Sequence, residues 1–161
     1  MISEQMLTVE EYINSYEMNG DINRVLFNKI KEHFGNKCHE AGYILKESIQ
    51  LIQRSLGKIQ TINDKSSILY IIKFKCKLIN PSIEDNIEVV INNINKMGII
   101  SYYKIDNLTT LENSPLLIII PYEEIKNKPY KEGDKINIVV ESVRIKHSST
   151  QIQIIGKLKK T

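Results

Sequence analysis

Pro81 sets the strongest constraint on how this chain folds. Proline has no amide hydrogen to give to a strand ladder, so an apolar strand that reaches Asn80-Pro81 has to stop there. Before it stands the run Ile68 to Ile79, in which Ile72, Phe74, Cys76 and Leu78 alternate with Lys73, Lys75 and Lys77. Period two makes this a strand with one dry face and one basic face. Lysines on a strand serve first as a solvated, edge-protecting face and only second as a track for phosphates.

After Pro81 come five short β-branched runs: Asn86 to Asn93, Gly98 to Lys104, Leu116 to Ile120, Lys135 to Ile145 and Gln151 to Leu158. Turn chemistry separates them: Asn95-Lys96-Met97-Gly98, Asn113-Ser114-Pro115, Glu132-Gly133-Asp134 and His147-Ser148-Ser149-Thr150. Five strands, with room for a helix between the third and fourth, fit an oligonucleotide-binding (OB-fold) barrel. The last two runs read as a hairpin, Ile136, Ile138, Val140 and Val143 opposing Ile152, Ile154 and Leu158. Ile155 breaks the alternation, and a bulge is expected near Val140 to Val143.

The N-terminal half reads as α+β. Asp21 is a good N-cap, Ile22, Val25, Leu26, Ile30 and Phe34 recur at helical spacing, and Gly35 offers a left-handed stop, which predicts a helix over 22–34. Met6 to Ile13 suits a strand, with Leu7, Val9 and Glu11 on one face, or a helix capped by Thr8. Gly42 to Ile52 is equally open, and Leu56, Lys58 and Ile59 extend it as a bent strand if it is one.

At 161 residues the chain holds one ordinary domain or two small ones. The split expected here is 1–80 and 81–161. With 22 Lys+Arg against 19 Asp+Glu the net charge is +3, so attraction for nucleic acid has to come from local clustering. Cys38 and Cys76 are too few for a disulfide scaffold or a zinc module, so no metal or other cofactor is expected. Acidic residues in Met1 to Glu11 speak against a signal peptide, and no apolar stretch approaches the roughly 18 residues that span a bilayer. The expectation is an intracellular protein, in nucleus or cytoplasm. The abundance of Ile, Asn and Lys suggests an AT-rich source genome, such as that of a large DNA virus or a protist.

In barrels of this class nucleic acid crosses the second and third strands and the loops after the first and fourth. That geometry nominates Lys96 in the first loop, Ile100, Tyr102 and Lys104 on one face of the second strand, and Lys146 and His147 in the last loop. Lysines supply salt-sensitive phosphate contacts and an exposed tyrosine a stacking surface. Period two turns Ile99, Ser101 and Tyr103 inward if Ile100 and Tyr102 face out. His147 reads first as a turn residue.

In succession, the helix Asp21 to Gly35, Lys37 to Ile44 as the strand after it, Gly57-Lys58-Ile59, the run Ile68 to Ile79, Asn80-Pro81, Glu88 to Ile99 and Gly133-Asp134-Lys135-Ile136 resemble the stalk subunit of multisubunit DNA-dependent RNA polymerases, the seventh subunit of eukaryotic polymerase II or its archaeal counterpart. The resemblance covers almost the whole chain, and Val89 to Ile99 is its best single stretch. It implies a non-catalytic subunit: a tip module docking on the polymerase core near the clamp, an RNA-binding barrel, weak contact with emerging RNA, and a small helical partner along both. If the source is viral, it implies a place in the virion or a cytoplasmic virus factory. Where RNA-binding barrels of this type carry an aromatic, a Phe and a His, this chain has Met97, Ile100 and Pro121, leaving Tyr102 and Tyr122 as substitutes, and a polar loop from Ile105 to Pro115 replaces a glycine-rich segment. Strong sequence-specific RNA binding is therefore not expected.

Two other readings compete. A free-standing RNA-binding adaptor would need the barrel alone. An enzyme would need a site, yet Glu10-Glu11, Glu84-Asp85 and Glu123-Glu124, read as strand neighbours, point apart, and neither a phosphate-cradling glycine loop nor a Cys-His or Ser-His pairing is evident.

Overall fold

A computed structural model of the protein describes residues 1–18, 20–126 and 128–159. The chain forms two compact units, one made of 3–35 and 44–78, the other of 1–2, 36–43 and the chain from Ile79 onward.

In the first unit the strand reading of the N-terminal segment holds. β1 (Ile2–Asn14) buries Glu11 and Ile13 and leaves Glu10 and Tyr12 outside. Helix α1 (Ile22–Phe34) follows, its first turn closed by Asp21, whose side chain accepts from the Asn23 N–H at 3.0 Å. Its stop differs from the expectation. Gly35 is extended (φ −69°) with its face packed against Lys46, and Asn36 takes the left-handed turn at φ 54°, which asparagine tolerates.

The segment after the helix, whose residues 36–43 belong to the second unit, is also not one strand. β2 (Cys38–His39) and β3 (Gly42–Ile44) make a tight hairpin, because Gly42 at φ 140° reverses the chain where a Cβ would strike the Ile79 carbonyl. β4 (Gln50–Arg54) and β5 (Lys58–Ile62) are separate strands rather than one bent one, and both pair antiparallel with the long β6 (Lys65–Ile79). β1 lies along β6 as well. On β6, Ile72, Phe74, Cys76 and Leu78 are buried, while Lys73 and Lys77 face out and Lys75 pairs with Glu4 at 2.6 Å. Helix α1 covers the dry face: Leu26 and Ile30 are fully buried, and the Phe34 and Phe74 rings lie 6.0 Å apart. The buried Glu11 carboxylate keeps a partner, His33 Nδ1 at 2.8 Å.

The second unit contains the barrel. Its strands are β7 (Asn86–Asn95), β8 (Gly98–Tyr102), β9 (Leu116–Pro121), β10 (Lys135–Arg144) and β11 (Ile152–Leu158), closed in the order β10-β11-β9-β8-β7. All pairings are antiparallel except β9 with β11. A short helix α2 (Tyr122–Ile125) occupies the longer connection, and this is the OB topology. Inward positions alternate along each strand, with Val89, Ile91, Ile99, Ile118, Ile120, Ile138, Val140, Ile152 and Ile154 in the core. The bulge lies between Val140 and Ser142, in the expected place. It redirects β10: Ile136 pairs with Val89 of β7, while Val143 faces Ile154 of β11.

Candidate nucleic-acid interface

The outer face of β8, β9 and β11 is built by register. Directly opposed residues of neighbouring strands put their side chains on one face. One transverse row therefore runs Asn93, Ile100, Ile119, Ile155, Ser142. The next runs Lys135, Val90, Tyr102, Leu117, Gln153, Arg144. Ile99 and Ser101 are buried beneath them, the Ser101 hydroxyl donating to the Ile118 carbonyl at 3.1 Å.

Ile100 and Tyr102 thus lie side by side at the centre of the face, both half-buried. Lys96 and Tyr122 are at one end of it. The Asn95-to-Met97 turn is closed by an Asn95 Oδ1 contact from the Met97 N–H at 2.8 Å, and the Tyr122 N–H donates to the Met97 carbonyl at 3.1 Å. Gly98 makes this approach possible, since at φ 138° any Cβ would land on the Ile120 carbonyl oxygen.

Lys104, Lys146 and His147 belong to the other end, beyond Tyr102 and Leu117, about 13 Å away by strand rise. β8 ends at Tyr102, so Lys104 is a loop residue and not, as expected, a strand neighbour of Tyr102. It lines a cleft of about 520 Å³ with Tyr103, Lys135 and Glu88. The Ile105–Pro115 connection is held by its own polar groups, Thr109 Oγ1 and Asp106 Oδ1 accepting from nearby N–H groups and Asn113 from Thr110.

Lys146 shares a smaller cleft, about 170 Å³, with Arg144, Ser149, Gln151 and Gln153. Gln151 ties this loop to the preceding one, its Nε2 donating to the Leu111 carbonyl at 2.6 Å and that of Ser114 at 3.1 Å. His147 is a turn residue, its Nδ1 3.0 Å from the Ser148 hydroxyl and its ring 6.0 Å from that of His39. The turn is latched by two backbone bonds, Cys38 N–H to the Ser149 carbonyl and Ser148 N–H to that of Cys38.

Burial pushes the Cys38 thiol up to about 11, so at neutral pH it stands as the weakly nucleophilic thiol. Among the described residues no group of three His, Cys, Asp or Glu could hold a metal ion. The acidic neighbours differ from their strand reading, since Glu84-Asp85 forms a turn and Glu123-Glu124 lies on α2.

Chemically, the face offers cations at both ends, one tyrosine and an aliphatic middle. Arg144, Lys135 and Gln153 escaped the sequence reading because their relevance depends on strand register. Ile155 did carry a signal, its break in the alternation.

No protein-family model matches the chain. It is similar to a protein of Acanthamoeba polyphaga mimivirus described as "Putative DNA-directed RNA polymerase subunit L376". Identity is 24% over 137 residues, which is 85% of this chain and 60% of the relative, so the chain spans about 60% of that protein's length.

Proposed function

We propose that this protein is a non-catalytic, stalk-type subunit of a DNA-dependent RNA polymerase. The observation that carries the reading is a succession: a sheet-and-helix module and then a closed OB barrel, in a chain similar over 85% of its length to a viral protein named as a polymerase subunit. The sheet-and-helix module docks on the core near the clamp. The β5–β6 ribbon and the turn leading into it are its best-suited contact, because Leu56, just before β5, and Ile59, on it, are 89% and 73% exposed, and exposed apolar side chains grouped together mark interaction surfaces. A small helical subunit is a further partner of the stalk. The protein works wherever that polymerase works, for a viral enzyme in the virion or a cytoplasmic factory.

Emerging RNA touches the barrel weakly, through Lys96, Lys104, Arg144 and Lys146. Three or four phosphate contacts to a single strand correspond to a log–log salt slope of about −2 to −3. Tyr102 is the one ring at the centre of the face and contributes little alone.

The decisive experiment is mass spectrometry of what co-purifies with the native protein. Large polymerase subunits in stoichiometric amount are expected. Their absence, with the protein a stable monomer that ignores polymerase core, would count against the reading. RNA binding that survives high salt, or that is abolished by Tyr102→Ala alone, would favour a free-standing RNA adaptor instead.

A further inference from the structure

The outer face of a barrel strand in water normally carries polar side chains between the inward apolar ones. β8, β9 and β11 break that rule together. Ile100, Ile119 and Ile155 are directly opposed across three neighbouring strands, with Ile119 40% and Ile155 43% exposed. Leu117 and Tyr102 continue the strip on one side, and Met97, 81% exposed, lies beyond Gly98 at its end.

We infer that this strip is a docking surface for an acidic, amphipathic polypeptide segment of another chain. Two observations choose this occupant. The middle of the strip is three β-branched isoleucines that stand up from the sheet, whereas bases stack on flat rings, and among the described residues Tyr102 is the one ring beside them. Charge then selects among polypeptides. At the Gln153 end Arg144 and Lys146 line a common cleft, and neither is in an ion pair with any described residue. The cations toward the Pro121 end, Lys96 and Lys157, share that end with Glu84 and Glu123, Glu84 lying against Lys157 at 3.8 Å. Apolar side chains over the isoleucines and carboxylates at the Arg144–Lys146 cleft therefore satisfy both halves of the surface. A second copy of this chain, itself net positive, is the poorer match. The inference goes beyond the polymerase reading, in which the same loops touch RNA, and it accounts for the aliphatic centre that RNA would not use.

The test uses the full chain in its native assembly, with Ser142→p-benzoyl-phenylalanine beside Ile155, irradiation, and mass spectrometry of the crosslinked product. The expected product is a segment of another polypeptide with net negative charge and several apolar residues. Its yield should fall at least five-fold in Ile119→Thr/Ile155→Thr, which keeps strand propensity, and likewise in Arg144→Glu/Lys146→Glu, with circular dichroism unchanged. Crosslinks to RNA or to a second copy in place of such a segment, or to a neutral or basic segment, would overturn the inference. So would an absence of product, or a yield indifferent to both double variants. Whether polymerase subunits are present is read separately in the same spectra, so the two proposals fail independently.

Discussion

Gly98 shows how one residue without a side chain can fix a site. It sits at φ 138° between the Lys96 turn and the start of α2, in a space already taken by the Ile120 carbonyl oxygen and the Tyr122 amide. A methyl group there meets both the forbidden backbone region and fixed main-chain atoms. Gly98→Ala is expected to destabilise the barrel by about 3 kcal/mol or more, read as a shifted urea midpoint with unchanged slope. Phe74 is a different case, fully buried against Phe34. Its truncation opens a cavity, and Phe74→Ala should cost about 3–5 kcal/mol in the same measurement.

Among the elements, the β5–β6 ribbon stands apart. Leu56 and Ile59 are largely exposed, and Ile59 faces Ile68 across the ribbon. Because these side chains bury little within the protein, Leu56→Glu/Ile59→Glu should leave the thermal midpoint nearly unchanged, within the effect of about 0.5 kcal/mol usual for surface changes. The same variant should lose polymerase subunits from the co-purified material if the ribbon docks. Retention of those subunits would move the docking surface elsewhere. The β10 bulge is an element-scale feature of another kind, since it lets one strand serve β7 with its first half and β11 with its second. The barrel closes through it.

For the whole molecule, the buried thiols set an alkaline limit. Burial raises both Cys38 and Cys76 from an ordinary value of 9.0 to about 11, and Tyr43, by burial and then by its neighbour Cys38, from 10.0 to about 12. In the unfolded chain these groups lose protons at lower pH than in the folded one. Their contribution to stability is therefore full below about pH 9 and is lost progressively as pH rises to about 11 for the thiols, and to about 12 for Tyr43. Denaturation followed from pH 8 to 11 should show that decline, and Cys76→Ser should lessen its steepness. A flat profile would mean that the thiols are not shielded. The exposed apolar side chains of Leu56 and Ile59 also predict self-association of the isolated protein at high concentration, visible by light scattering.

Much of this architecture was legible in the order of residues. Alternation along Ile72 to Leu78, the cap at Asp21 and the turn chemistry after Asn95, Ser114, Gly133 and Ser148 are local signals, and local sterics and hydrogen bonding suffice to read them. The choice of strand over helix for the N-terminal segment, the hairpin over 38–44 and the split of β4 from β5 were not, because short segments with balanced propensity take the form their neighbours impose. Chemistry of the candidate site divides the same way. Lys96, Tyr102 and Lys146 followed from strand order, but the isoleucine row and the Arg144–Lys146 cleft exist only once register is fixed. Register depends on which faces meet across strands far apart in the chain, and that is a property of tertiary packing rather than of any local run.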